Sequence, residues 1–336
     1  MTGSLKSLTS LRAWKLAVAG PSAFWYFPIF FALLSSKASP NPTGLAALFL
    51  VLMISASWGF LLNDLFDREA DSKSGRGDAI HGYGLKKSTM WFLILLTGIA
   101  SWVVVFLIGG GYVFKVVLLI DYLVAILYST PPIKLKIRKF WGFLANSLME
   151  RPLPILVFLC FMGYYNVWTI VLPVLMELSW SVFKHQAADI KEDINANVTT
   201  FAVYLGERVS NRIVFSFLNP LSVISLLFLT ALTWWGVADL RLLLAICFAV
   251  ILVGEAGSFA LEKAGKITTY ITPTDPPYII FLNLAYRFLL LPALAFGIAS
   301  LRPEYYLLTV LLGITLAYQL YAYARILSHK AKHSIG

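Results

Sequence analysis

The sequence predicts a polytopic membrane protein of about ten transmembrane helices, and three observations predict it. First, 59% of the 336 residues are hydrophobic and 13% are charged, whereas a soluble globular chain carries roughly 25% charged residues. So few charges do not dress a water-facing surface, and lipid is the solvent for much of the chain. Second, apolar stretches of roughly 20 residues, the length that crosses a hydrocarbon core, recur from end to end. Third, basic residues collect in alternate connections, the pattern of cytoplasmic loops.

In chain order the predicted spans lie near 14–35, 45–66, 89–108, 112–129, 142–163, 167–185, 212–235, 240–260, 279–300 and 305–326. Lys6, Arg12 and Lys15 precede the first, and Arg68, Lys73, Arg76, Lys86 and Lys87 follow the second. Lys134, Lys136, Arg138 and Lys139 follow the fourth. Lys184, Lys191, Arg208 and Arg212 surround the sixth-to-seventh connection, and Lys263, Lys266, Lys330 and Lys332 follow the eighth and tenth. The alternate connections hold only Lys37, Arg241 and Arg302. This asymmetry places both termini and the long loops in the cytoplasm. The ninth and tenth spans are joined by the short connection Leu301-Arg302-Pro303-Glu304.

No long polar linker divides the chain, so residues 1–336 read as one integral-membrane domain, with a motif-bearing part over 12–210 and further spans over 212–326. The net charge of +10 belongs to these loops and does not call for nucleic acid. Cys160 and Cys247 fall in spans with no CxxC and read as packing residues. The first apolar stretch runs into a full span without a small-residue cleavage site, which argues against a signal peptide. His81, His329 and His333 show no metal-ligand spacing.

Two acidic clusters carry the chemistry. The first reads Asn63-Asp64-Leu65-Phe66-Asp67-Arg68-Glu69-Ala70-Asp71. Asn63, Asp67 and Asp71 recur every four residues and share one face of a helix, while Asp64 points about 100° away. The second reads His185-Gln186-Ala187-Ala188-Asp189-Ile190-Lys191-Glu192-Asp193. Asp189 and Asp193 share a face, with His185 a turn before and Asn197 a turn after. Four spans separate the clusters, so both emerge on the same face. Stacked carboxylates repel unless a cation lies among them, and oxygen ligands with a substrate phosphate suit magnesium. The bland alternative is a pair of solvated acidic loops.

The first cluster is an intact NDxxDxxxD motif and resembles that of UbiA-superfamily prenyltransferases. Asp189 and Asp193 are similar to the DxxxD core of that family's second motif, although Gln186 stands where a third acidic residue is frequent and His185 where Asn63 would be. Tyr128 through Lys136 resembles the YSxPPxxLK stretch, and Val198 through Gly206 the segment after the second motif. The resemblance implies an all-α, UbiA-like bundle of nine to ten spans with a central cavity open to the cytoplasmic side and to lipid. It implies magnesium-dependent transfer of a prenyl group from an allylic isoprenoid diphosphate to an aromatic or other lipophilic acceptor, with release of pyrophosphate. Two or more magnesium ions are then held by Asn63, Asp67, Asp71, Asp189 and Asp193. Arg76, Lys136 and Lys191 are the candidates for diphosphate contacts, since Arg grips phosphate bidentately and Lys supplies a point charge; the other reading is that they only set topology. Tyr128 is a candidate to face the allylic cation through its ring or to be a belt tyrosine at the interface.

Asp121, Glu150, Arg151, Glu177, Glu255 and Arg287 lie within predicted spans, where charge is costly, so they should face a cavity or one another. They either orient the acceptor or fix helix packing. The loops 66–89 and 261–278, rich in Gly and Pro, are candidates to cap the cytoplasmic mouth and keep water from the cation. Two other readings remain open: a cyclase of the same fold, which needs no acceptor, and a transporter.

Overall fold

The computed structural model describes residues 22–35, 39–73, 85–179, 181–195, 198–236, 238–263 and 284–333. The start of the first predicted span, Arg76, Asn197, the glycine-rich part of the 66–89 loop and the proline-rich part of the 261–278 loop lie outside these residues, as do the side chains of Asp71 and Glu255. Among the described residues every regular element is helical.

Five helical rods have the length and apolar composition to cross a membrane: Pro42–Arg68, Lys87–Leu107, Tyr112–Ser129, Phe140–Phe161 and Glu207–Gly236. Two shorter apolar helices cover Phe24–Ser35 and Tyr286–Leu301. Helices also run over the remaining stretches, at Trp168–Ser179, Arg241–Lys263 and Tyr306–His333.

Helix α1 (Ser22–Ser35) is the centre of the bundle. Trp25, Tyr26, Phe27, Ile29 and Phe30, which point to different sides of the helix, are all fully buried, so neighbouring helices surround it. Helix α2 (Pro42–Lys73) starts beside Asn41, whose side chain accepts from the Thr43 amide at 3.2 Å. It continues past the expected end at residue 66, so the whole first acidic cluster rides on one unbroken helix. Its 32 residues reach about 48 Å at 1.5 Å per residue, longer than a membrane core. Helix α3 (Lys87–Leu107) buries Met90, Ile94, Ser101 and Val105. Its other face exposes Phe92, Leu95, Ile99, Val103 and Phe106, an apolar stripe that lipid covers. Helix α4 (Tyr112–Ser129) does the same with Val116, Leu119, Leu123 and Ile126.

Two predicted spans are broken. The fifth divides at Arg151 into α5 (Phe140–Glu150) and α6 (Pro152–Phe161), because Pro152 and Pro154 lack the amide hydrogens of the helical ladder. The sixth ends as α7 (Trp168–Ser179) and restarts at α8 (Val182–Ala188), where Ser181 caps by accepting from the Phe183 amide at 3.2 Å. After α9 (Ile190–Asn195) and α10 (Phe201–Leu205) the chain rises again through α11 (Glu207–Ile213), a π-turn and α12 (Asn219–Gly236). Lys184, at the end of the predicted sixth span, is buried and donates to Ser222 Oγ at 2.6 Å.

At the end of α2 remote from the acidic motif, Arg302 ties two connections together. It donates to the Leu33 carbonyl at 2.9 Å and to Ser39 Oγ at 3.2 Å, while the Tyr305 hydroxyl donates to the Pro40 carbonyl at 2.8 Å.

Candidate active site

The site starts from the helical repeat of α2. Asn63 and Asp67 lie four residues apart on one face, and both meet a single ammonium group. Lys136 Nζ donates to Asn63 Oδ1 at 3.4 Å and is paired directly with Asp67 Oδ2. Lys134 Nζ reaches the other oxygen, Asp67 Oδ1, at 3.5 Å. Asp64 is turned away and buried, as its 100° offset requires.

The lysines are placed by the segment after α4. The Lys134 amide donates to the Thr130 carbonyl at 2.8 Å, and Arg138 Nε donates to the Ile133 carbonyl at 2.7 Å, so the loop braces itself. A short 3-10 turn, Leu135–Ile137, then lies directly on α5. A Cβ at Gly142 would stand 2.6 Å from the Leu135 carbonyl oxygen and 2.8 Å from that of Lys136. Only glycine admits this approach, and it fixes the depth at which Lys136 meets α2.

From the same turn of α5 the structure continues to the second motif. Phe143 packs on Phe183 at 5.9 Å and on Phe201 at 5.7 Å between ring centroids. Those two residues bracket Asp189 and Asp193 in sequence. Asp189 sits at the break between α8 and α9, with φ −92° and ψ 4°. Its carbonyl accepts from the Asp193 amide at 2.8 Å, so the two carboxylates keep the one-turn spacing. Asp193 is buried, and its Oδ2 accepts from Thr200 Oγ1 at 3.1 Å. Tyr128 lies in the last turn of α4.

Deeper in the bundle Arg151 donates to Glu150 Oε1 and to Glu177 Oε2, each at 2.8 Å. Glu177 Oε1 accepts from the Val182 amide at 3.0 Å and so also joins α7 to α8. These intramembrane charges therefore face one another. Asp121 lies on α4, where its Oδ1 is buried and has no hydrogen-bond partner among the described residues.

The structure thus gathers Asn63, Asp67 and Lys136. It does not gather Lys191, which is 82% exposed and 3.9 Å from Glu207. Lys191 is two residues from both Asp189 and Asp193, which puts it on the opposite side of the turn. Sequence reasoning missed Lys134 as an Asp67 partner, Gly142 as the seat of the loop, and Thr200 as a donor to Asp193. The Lys134 signal was its two-residue spacing from Lys136 in an irregular segment. Gly142 carried no signal, because its neighbour is backbone from another element.

The donor set suits a hard divalent cation. Asn63 Oδ1 and the Asp67 carboxylate are oxygen ligands that already surround one positive centre, the Lys136 ammonium. Among the described residues no three carboxylate, histidine or cysteine side chains converge on one point.

Fold and site together define an all-helical membrane protein in which the side-chain oxygens of Asn63 and Asp67 meet Lys134 and Lys136. The chain belongs to the UbiA prenyltransferase family, whose pattern matches residues 22–267. Its fold is similar to that of a UbiA homologue from Archaeoglobus fulgidus solved bound to GPP and Mg2+ and, separately, to DMAPP and Mg2+. Each superposes with a TM-score of 0.53 at 16% identity, over 90% of this chain and 98% of that one. The same homologue bound to Cd2+ gives a TM-score of 0.51 at 15% identity, over the same shares. Comparison with curated proteins returns no match.

Proposed function

We propose that this protein transfers a prenyl group from an allylic isoprenoid diphosphate to a lipophilic acceptor and releases pyrophosphate. The observation that carries the reading is the pairing of Lys136 with Asn63 and Asp67, flanked by Lys134. One site then offers oxygens to a cation and ammonium groups to an anion, which is what a metal–diphosphate headgroup requires. Family membership and the ligands of the similar archaeal homologue support it.

Magnesium, when bound by Asn63, Asp67, Asp71, Asp189 and Asp193 as two or more ions, neutralises the diphosphate and stabilises the pyrophosphate that leaves. The chain's own residues do the rest. Lys136 and Lys134 hold the phosphate oxygens. Arg76 adds a bidentate contact. Thr200 orients Asp193 through its hydroxyl. Tyr128 presents its ring towards the allylic carbon as positive charge develops there. Nine to ten spans enclose a central cavity, with both termini and the mouth on the cytoplasmic side, because the basic connections gather at that end.

Transfer is favoured over cyclisation by the polar cluster of Glu150, Arg151 and Glu177 within the bundle. A cyclase needs an apolar wall that shields its cation; charged and hydrogen-bonding groups suit a second substrate. Pyrophosphate release from allylic diphosphates of several lengths, with and without an acceptor panel, tests the proposal. Magnesium-dependent release coupled to prenylated acceptor is the expected result, and cyclic hydrocarbon formed without acceptor would reverse it.

A further inference from the structure

The connection between α4 and α5 uses its cations in two ways. Residues 122–149 hold Lys134, Lys136, Arg138 and Lys139 and no acidic residue. Lys134 and Lys136 turn in to Asp67, and the site described above accounts for them. Arg138 and Lys139 are exposed instead. Arg138 braces the loop through the Ile133 carbonyl, and Lys139 lays its ammonium over the Tyr204 ring, 4.0 Å from the centroid. Neither has a carboxylate partner among the described residues.

An apolar surface surrounds these two cations. Ile137 is 50% exposed, Phe140 47%, Trp141 60% and Tyr204 56%. The rings form one patch: Phe140 lies 5.7 Å from Trp141 and 5.8 Å from Phe201, and Phe201 lies 6.5 Å from Tyr204, centroid to centroid. A contiguous apolar patch of this kind marks a contact surface, and its place in the fold decides what covers it. One membrane-length rod ends at Ser129, and two others begin at Phe140 and Glu207. The patch therefore sits where three rods leave the hydrocarbon, at the depth of the lipid headgroups, where Tyr and Trp gather. A zwitterionic lipid would suit the rings but would leave two cations without counter-charge. An anionic phospholipid suits both, and each Lys or Arg near such a headgroup is worth about fivefold in binding.

We propose that Arg138 and Lys139, with the rings of Phe140, Trp141 and Tyr204, form a docking surface for an anionic phospholipid of the adjacent leaflet. The two cations meet the negative charge of the headgroup, and the rings meet the glycerol and the first methylenes of the chains. The lipid then anchors the loop that delivers Lys134 and Lys136 to Asp67. This surface stands apart from the prenyl-transfer reading, and its test contains neither diphosphate nor magnesium.

The full chain is placed in phosphatidylcholine nanodiscs doped with a trace of phosphatidylglycerol or of phosphatidylcholine, each carrying a diazirine beside the headgroup. After irradiation, peptide mass spectrometry locates the adducts. On the wild type, adducts over residues 130–141 and 201–205 should be about tenfold or more frequent with phosphatidylglycerol than with phosphatidylcholine. Lys139→Gln should lower that preference about fivefold, and Lys139→Arg should retain it. Arg138→Gln combined with Lys139→Gln should abolish it. Lys139→Gln leaves Arg138 on the Ile133 carbonyl, and it carries the test should the double variant not fold. Excess unlabelled phosphatidylglycerol should suppress the adducts, and soluble glycerophosphoglycerol at the same concentration should not. Equal labelling of the patch by the two lipids overturns the inference, as does a preference that Lys139→Gln leaves intact. Competition by the soluble headgroup as strong as by the lipid overturns it too, since the surface would then serve a free anion.

Discussion

Lys136 pairs with the Asp67 carboxylate across 69 residues of chain, and the same ammonium reaches Asn63. A loop cation thereby touches both ends of a helical turn of the first acidic motif. Lys136→Met should weaken binding of a thiolodiphosphate by about tenfold to a hundredfold, since a charge-assisted bond is worth roughly 1.5–3 kcal/mol. Calorimetric titration in magnesium checks it, and an unaltered affinity would remove Lys136 from the diphosphate site.

Asp67 and Asp193 stand on different elements and should fail in the same way. Asp67→Asn and Asp193→Asn should each lower magnesium-dependent pyrophosphate release by about a hundredfold or more, the scale of losing a group that stabilises developing charge. Chelation of the wild type should abolish release, and added magnesium should restore it. A variant that turns over normally would show its carboxylate to be structural.

Gly142 seats the lysine loop. Gly142→Ala places a Cβ 2.6 Å from a backbone oxygen, so the 135–137 turn must shift away from α5. Thermal unfolding should fall by the equivalent of about 1–3 kcal/mol, and diphosphate affinity should drop with it. Retained affinity in a destabilised protein would mean that the loop position does not set the lysines.

The Arg151 cluster should behave as a balanced set. Arg151→Met leaves Glu150 and Glu177 facing each other without a cation, and destabilises by about 3–5 kcal/mol, as for other broken buried pairs. Adding Glu150→Gln and Glu177→Gln should recover most of that loss. Melting curves of the single and triple variants check this, and an additive further loss in the triple variant would argue against the pairing.

Much of the architecture was legible in one dimension. Among the described residues every regular element of the predicted apolar stretches is helical, and the four-residue spacing of Asn63 and Asp67 does put them on one face. The breaks were less visible, although their cause was in plain view: Pro152 and Pro154 interrupt a stretch whose hydropathy runs on unbroken. Hydropathy reports the cost of leaving water and says nothing about backbone hydrogen bonds.

What the sequence determined by itself was the solvent of the chain, its helical elements and its family, because composition and spacing are local properties. Only the tertiary structure decided that α1 lies at the centre, that Lys184 is buried against Ser222, that Lys191 points outward and that Glu177 shares Arg151 with Glu150. In lipid the outer surface is as apolar as the interior, so an all-apolar helix carries no mark of which side faces its neighbours. The positions of long-range partners then follow from helix packing, from the close approach at Gly142 and from the proline break at Arg151.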